Sequence, residues 1–437
     1  MRQRRCHHKG PAMRRPNPWG RSAALTLALV LGLAALVMWL NLRGDPDPGL
    51  SPGRQDAAMI ARGAYLARAG NCMACHTERG GVPYAGGRPI DTPFGIVYAG
   101  NLTPDRDTGI GQWSADDFWR ALRNGRSRDG RLLYPAFPYP NYTLMQREDA
   151  DALFAFLQNQ AAVRQPNRDH QLRWPFSTQT ALALWRALYF TPGGFRPQAE
   201  QGPIWNRGAY LVQGLGHCSA CHAERNALGA NSPLDLAGGL IPMQNWYAPS
   251  LTDRSEAGVM DWPLEEIVSL LGTGTSSRGS AHGPMAEVVL HSTQHLSADD
   301  LQAMATFLKG LPPARRHAIP SGALAKPNAA GAALYEKHCL QCHGEQGQGV
   351  AGAYPALAGN RAVSLEPAVN LVQIVMHGAY PPATRGNPQP FGMPPYLMDF
   401  SETEIADLLN HLRSSWGHRA SAITALDVQL AREGRTR

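Results

Sequence analysis

Six of the seven cysteines in this 437-residue chain fall into three copies of one pentapeptide: Cys72-Met73-Ala74-Cys75-His76, Cys218-Ser219-Ala220-Cys221-His222 and Cys339-Leu340-Gln341-Cys342-His343. Two thiols two residues apart, followed at once by an imidazole, form the spacing that attaches haem covalently. The thiols add across the two vinyl groups while the histidine reaches the iron. A zinc site needs four ligands brought together, and three widely separated pairs do not assemble one. A dithiol redox pair needs no histidine after it in every copy. The motifs therefore predict three covalently bound haem c groups, held by Cys72, Cys75, Cys218, Cys221, Cys339 and Cys342, with His76, His222 and His343 as proximal iron ligands.

The N-terminus constrains where such a chain resides. The first 21 residues carry seven basic side chains and no acidic one, so they account for the whole formal net charge of +7. The basic balance is a topology signal and argues against nucleic-acid binding. Residues 22–42 then run apolar, long enough to cross a bilayer as a helix, with Trp39 near the outer end. A cleaved signal peptide has a shorter apolar core and a small-residue cleavage site, which Asn41-Leu42-Arg43-Gly44 does not supply. The expectation is a basic cytoplasmic segment (1–21), an uncleaved single-pass anchor (22–42) in a bacterial inner membrane, and everything beyond it on the periplasmic side. Cys6 falls in the cytoplasmic segment and is read as an inert thiol.

Repeats outside the pentapeptides divide the rest. Arg62-Gly63-Ala64-Tyr65-Leu66 answers Arg207-Gly208-Ala209-Tyr210-Leu211, and more loosely Gly331-Ala332-Ala333-Leu334-Tyr335. Small residues at helical spacing suit a helix that packs closely on another. Asn101-Leu102-Thr103-Pro104-Asp105 answers Ser250-Leu251-Thr252-Asp253, and Trp113-Ser114-Ala115-Asp116-Asp117, where Ser114 reads as a helix start, answers Trp262-Pro263-Leu264-Glu265-Glu266. Each unit closes with an acidic first turn and an amphipathic run, near Asp149, Asp299 and Glu404. The pattern predicts an all-α chain of three tandem cytochrome c-type domains at 52–160, 204–313 and 328–415. A linker at 161–203, with a helix over Ala181–Tyr189, and a polar tail at 416–437 complete it. Domains this small have modest cores, so haem would supply much of each interior.

A haem that only carries electrons keeps both axial positions filled, and a methionine opposite the histidine raises its potential. Gly283-Pro284-Met285 and Gly392-Met393-Pro394 each fall shortly before a closing helix, which makes Met285 and Met393 the candidate distal ligands; Met398 is a weaker competitor. The first unit departs from this pattern. Aligning the closing helices puts Phe137 where the others have methionine. The nearest sulfur, Met145, aligns instead with Leu296 and Phe400, apolar residues that staple a helix start. His217 and His338 directly precede an attachment cysteine and cannot easily reach the far face of that iron, while Met285 and Met393 explain the surroundings of His282 and His377 better.

Together these residues resemble the membrane-anchored triple-haem cytochrome c subunits of bacterial alcohol, gluconate, fructose and sorbitol dehydrogenases. The resemblance spans roughly residues 52–415. It includes Thr92-Pro93-Phe94-Gly95, the Asn101–Asp105 phrase with Thr108-Gly109-Ile110-Gly111, Tyr134-Pro135-Ala136, Gly216-His217-Cys218 and Gly283-Pro284-Met285. It implies an electron-transfer subunit with no substrate site of its own. A partner catalytic subunit of flavin, pyrroloquinoline quinone or molybdenum type would feed it, and ubiquinone or another respiratory carrier would receive the electrons. Members commonly carry methionine in the place of Phe137, so the family's ligation of the first haem does not transfer. Some relatives are tethered at the C-terminus, whereas residues 414–437 here are too polar to span a membrane.

No Gly-x-Gly-x-x-Gly phrase offers a dinucleotide site. Two alternatives to the dehydrogenase subunit remain at this level: a peroxidase-like haem enzyme using an open first haem, and a stand-alone carrier feeding a terminal oxidase.

Overall fold

The computed structural model describes residues 18–44, 56–232, 234–314 and 322–434. Cys6 and most of the basic segment expected to be cytoplasmic lie outside the described residues.

The first element is a helix over Pro18–Leu42. Among the described residues it is the one helix long and apolar enough to cross a membrane. Its leucines project outward, Leu25 and Leu29 being 72 % and 75 % exposed, which in water would leave a large apolar surface uncovered. Its C-terminal end is tied into the folded chain. Asn41 is buried; its amide donates to Ala183 O (2.9 Å) and its carbonyl oxygens accept from Arg186 and Arg126.

Each pentapeptide sits between an opening helix and a closing helix that cross at a glycine. The pairs are Ala57–Ala69 with Arg147–Gln158, Pro203–Ala209 with Ala298–Lys309, and Ala329–His338 with Glu402–Ser414. The crossing leaves no room for a side chain. A Cβ on Gly63 would stand 1.9 Å from Ala152 O, on Gly208 2.0 Å from Ala303 O, and on Gly331 2.1 Å from Asp407 O. The glycine in each repeated phrase is thus fixed by backbone contact between helices. Ser114, the expected helix start, caps Ala115–Asn124 in a reciprocal box with Asp117, and Ser401 caps the third closing helix in the same way with Glu404.

Four points differ from the expected layout. The chain is mainly helical, but short antiparallel pieces interrupt the all-α pattern: Pro89–Thr92 with Gly95–Tyr98, Gly239–Ile241 with Trp246–Ala248, and Thr275–Ser276 with Gly279–Ser280. Strands of two to four residues are too short to show an alternating pattern. The first two units share one hydrophobic core that includes Leu66, Phe154, Leu211, Leu215, Ile267 and Phe307, while the third has its own around Val375, Met376, Ile405 and Leu409. The 161–203 segment is a docked strap. Gln171–Leu172 extends the first sheet opposite Gly95 and Ile96, and the Gln179–Tyr189 helix packs on the apolar N-terminal helix. Finally, the polar tail is part of the third unit: Ala425–Arg432 is a capped helix that buries Val428 and Ala431, and Ile423 before it is buried too. A few apolar positions in a polar sequence suffice to dock one helix face.

Candidate haem sites

The three attachment segments are short helical turns at Cys72–Cys75, Ser219–His222 and Leu340–His343. None of these six cysteines is paired in a disulfide. Burial pushes the Cys72 and Cys218 thiols up to about 12, with the neighbouring Cys75 or Cys221 adding to it, and pushes Cys339 up to about 11. Burial thus disfavours the thiolate at Cys72, Cys218 and Cys339.

Each histidine is oriented in the same way. His76 Nδ1 bonds Gly100 O at 2.7 Å, His222 Nδ1 bonds Pro249 O at 2.8 Å, and His343 Nδ1 bonds Pro355 O at 3.0 Å. A backbone carbonyl can only accept, so Nδ1 carries the proton and Nε2 keeps its lone pair for a metal. Burial lowers the pKa of all three rings, which favours the neutral, ligating form.

The carbonyls that do this are aimed by the repeated loop phrases. Asn101, buried next to Gly100, folds its Oδ1 back onto Thr103 N (2.9 Å) and donates to Val163 O (2.8 Å). Ser250, next to Pro249, receives the amides of Thr252 and Asp253. The sequence showed these phrases as repeats without showing their task, because their task is exercised through a neighbour's backbone. The signal available was position: in both units the phrase begins one residue after the carbonyl.

A cavity of about 1780 Å³ opens beside the first attachment site. Cys72, Cys75 and His76 line it together with apolar side chains such as Phe118, Leu122 and Leu153, and it reaches Ala220 and Cys221 of the second site. An apolar slot with two thiols and an oriented imidazole at its edge fits a covalently held porphyrin. Cys75 and Cys221 both line this one cavity.

The remaining candidates divide. Met285 is half-buried at the start of the Pro284–His291 helix and packs against the shared core. Met393 packs against the third core, its backbone paired with Ala379. Met398 is 92 % exposed. Met145 is buried, and both it and Phe137 line the first cavity. His217 is committed between units: its Nε2 bonds Gly70 O (3.3 Å) and its ring meets Tyr142 edge-on. His338 packs edge-on against Tyr396 and Phe400. His282 has a buried Nδ1 without a hydrogen-bond partner, and His377 is exposed.

Comparison with known proteins agrees with this geometry. The cytochrome c family model matches residues 60–161 and 328–416. The chain is 40 % identical over 86 % of its length to the cytochrome c subunit of the quinone-type alcohol dehydrogenase of Gluconacetobacter polyoxogenes, covering 85 % of that protein. It is 37 % identical over 94 % of its length to the gluconate 2-dehydrogenase cytochrome c subunit of Pantoea cypripedii, covering 95 % of it. It is 32 % identical over 97 % of its length to the fructose dehydrogenase cytochrome subunit of Gluconobacter japonicus, covering 91 % of it. The family model and relatives of nearly full length lead to one assignment: the chain belongs to the cytochrome c subunits of dehydrogenase complexes, and is an electron-transfer subunit rather than a catalytic one.

Proposed function

We infer that this chain carries three haem c groups and relays electrons from a periplasmic dehydrogenase subunit, of flavin, pyrroloquinoline quinone or molybdenum type, to ubiquinone or another respiratory carrier in the membrane. The observation that carries this reading is the threefold recurrence of a Cys-x-x-Cys-His turn whose histidine Nδ1 is held by a backbone carbonyl. When bound, haem c supplies a one-electron couple. The chain's own residues fix each porphyrin edge through two thiols, hold an imidazole on one face and exclude water with an apolar wall. Met285 and Met393 would hold the irons of the second and third haems opposite the histidines, and thioether ligation would raise their potentials.

The apolar N-terminal helix is a retained anchor, with the haem units on the periplasmic face. Its last turn supports this: Asn41 is buried and hydrogen-bonded to Ala183 and Arg186, so cleavage beyond this point would remove a partner of polar groups in the docked 161–203 segment.

Co-expression with a candidate catalytic subunit tests the relay. Adding that subunit's substrate should reduce all three haems in the complex, whereas the cytochrome chain alone should stay oxidised; reduction of the isolated chain by substrate would overturn the assignment. Replacing Met285 or Met393 with leucine should lower the potential of one haem, and an unchanged redox titration would show that the ligand lies elsewhere.

A further inference from the structure

The first unit lacks a methionine where the second and third supply one before the closing helix, and the backbone of the second unit matches it most nearly. In the second unit the Leu264–Thr273 helix ends on Gly274 in the left-handed region, Thr275 pairs with Ser280, and Met285 follows five residues later. In the first unit the Ala115–Asn124 helix ends on Gly125, also left-handed, Arg126 pairs with Leu132, and five residues later stands Phe137. In the third, Gly378 with φ 79° follows its helix, and Ala379 pairs with Met393 itself. Counted from the strand partner, Phe137 thus stands where Met285 does, after a loop one residue longer, and its ring has no lone pair to offer.

Met145 does not replace it. It directly precedes the N-cap of the closing helix, as Leu296 and Phe400 do in the other units. All three side chains are buried, at 2 %, 7 % and 5 % exposure. This is the residue that staples a helix start to the core, and it is apolar in every unit whether or not it contains sulfur. Phe137 lines the first cavity together with Cys72 and His76, and its ring packs 5.4 Å from that of Tyr142. The Tyr142 hydroxyl is turned away to Gly70 O.

The geometry points to a first haem whose iron has no protein ligand on its distal side and binds small neutral ligands there, carbon monoxide or nitric oxide, against an aromatic wall of Phe137 and Tyr142. Such a wall offers no hydrogen-bond donor or general base of the kind that polarises bound peroxide. Binding therefore occurs without turnover, in keeping with a chain that is not the catalytic subunit. This inference rests on the three-haem reading above.

The test uses the full-length holoprotein, reduced with dithionite and titrated with carbon monoxide, with haem content measured by pyridine haemochrome on the same sample. The expected result is one carbon monoxide bound per three haems in the wild type and in Met145→Leu, and none in Phe137→Met. Phe137→Met should also strengthen the sulfur-to-ferric-iron charge-transfer band about 1.5-fold, as two ligated haems become three. Met285→Leu serves as a control and should bind a second carbon monoxide. No binding by the wild type overturns the inference; if Met145→Leu then gains binding, Met145 is the ligand. A haem content below three strikes the three-haem reading itself.

Discussion

An acid stands at the third position of the closing helix in all three units, and its partners separate the first two units from the third. Asp149 receives Arg62 of its own unit and the Tyr210 hydroxyl of the second unit at 2.6 Å. Asp300 receives Arg207 of its own unit and the Tyr65 hydroxyl of the first unit, also at 2.6 Å. The arrangement is reciprocal, with each repeated Arg-Gly-Ala-Tyr-Leu phrase using its arginine at home and its tyrosine across the interface. In the third unit alanines replace both, Ala330 and Ala333, and Glu404 turns back to cap its own helix through Ser401. The second and third units meet instead through polar contacts, Asn370 bonding the Tyr247 backbone in both directions and Arg361 reaching Gly258 O and Asp261. A shared apolar core and a charged, buried latch make one cooperative body of two units, whereas separate cores joined by hydrogen bonds leave the third a module.

The largest effect that would break this comparison lies in the third unit. Arg413 is wholly buried and binds Val363 O, Leu365 O, Ser421 O and Glu366, clamping the C-terminal segment to the core. Arg413→Ala leaves these acceptors and Glu366 without the guanidinium, at a cost of about 3–5 kcal/mol. Limited proteolysis should then cut residues 328–434 while the first two units survive; simultaneous loss of all three would show that the bodies are not independent. Next come Gly63→Ala and Gly331→Ala, each forcing a methyl into a carbonyl for about 1–3 kcal/mol. Differential scanning calorimetry should show the first lowering the transition shared by units one and two, and the second lowering only that of unit three.

Smaller effects sharpen the latch. Tyr65→Phe and Tyr210→Phe each remove a hydrogen bond to a carboxylate, worth about 1.5–3 kcal/mol, and should lower the paired transition by denaturant titration. Glu404→Gln, at the matching helix position of the third unit, should change little because that carboxylate is an exposed cap. The smallest effect is on pH dependence. Burial alone would raise the pKa of Asp300, but the bonds from Arg207 and Tyr65 outweigh it and hold the carboxyl below its usual value. A folded-state pKa below the unfolded one contributes stability above about pH 4 that is lost as pH falls through the lower value. Acid titration of the paired transition should show that loss, and Asp300→Asn should remove it.

What the sequence disclosed and what it withheld follow from range. The glycine crossings and the capping residue Ser114 are local patterns, and each meets its expected backbone in the structure. The latch joins Tyr65 to Asp300 across 235 residues, and no spacing rule links such positions, so the repeated tyrosines registered only as packing residues. Composition hides docking in two segments. Residues 161–203 and 416–437 look like linker and tail because polar residues dominate them, yet a strand of two residues and one buried face around Val428 are enough to dock each. The carbonyls of Gly100, Pro249 and Pro355 escaped notice because every residue has one, and only the fold shows which are aimed at a histidine.

The account depends most on the claim that all three pentapeptides carry haem. Pyridine haemochrome analysis of the purified full-length chain, with protein measured by amino-acid analysis, tests it directly. Three haems per chain are predicted, falling to two when Cys339 and Cys342 are both replaced by alanine, and a wild-type content of two or fewer would contradict the account.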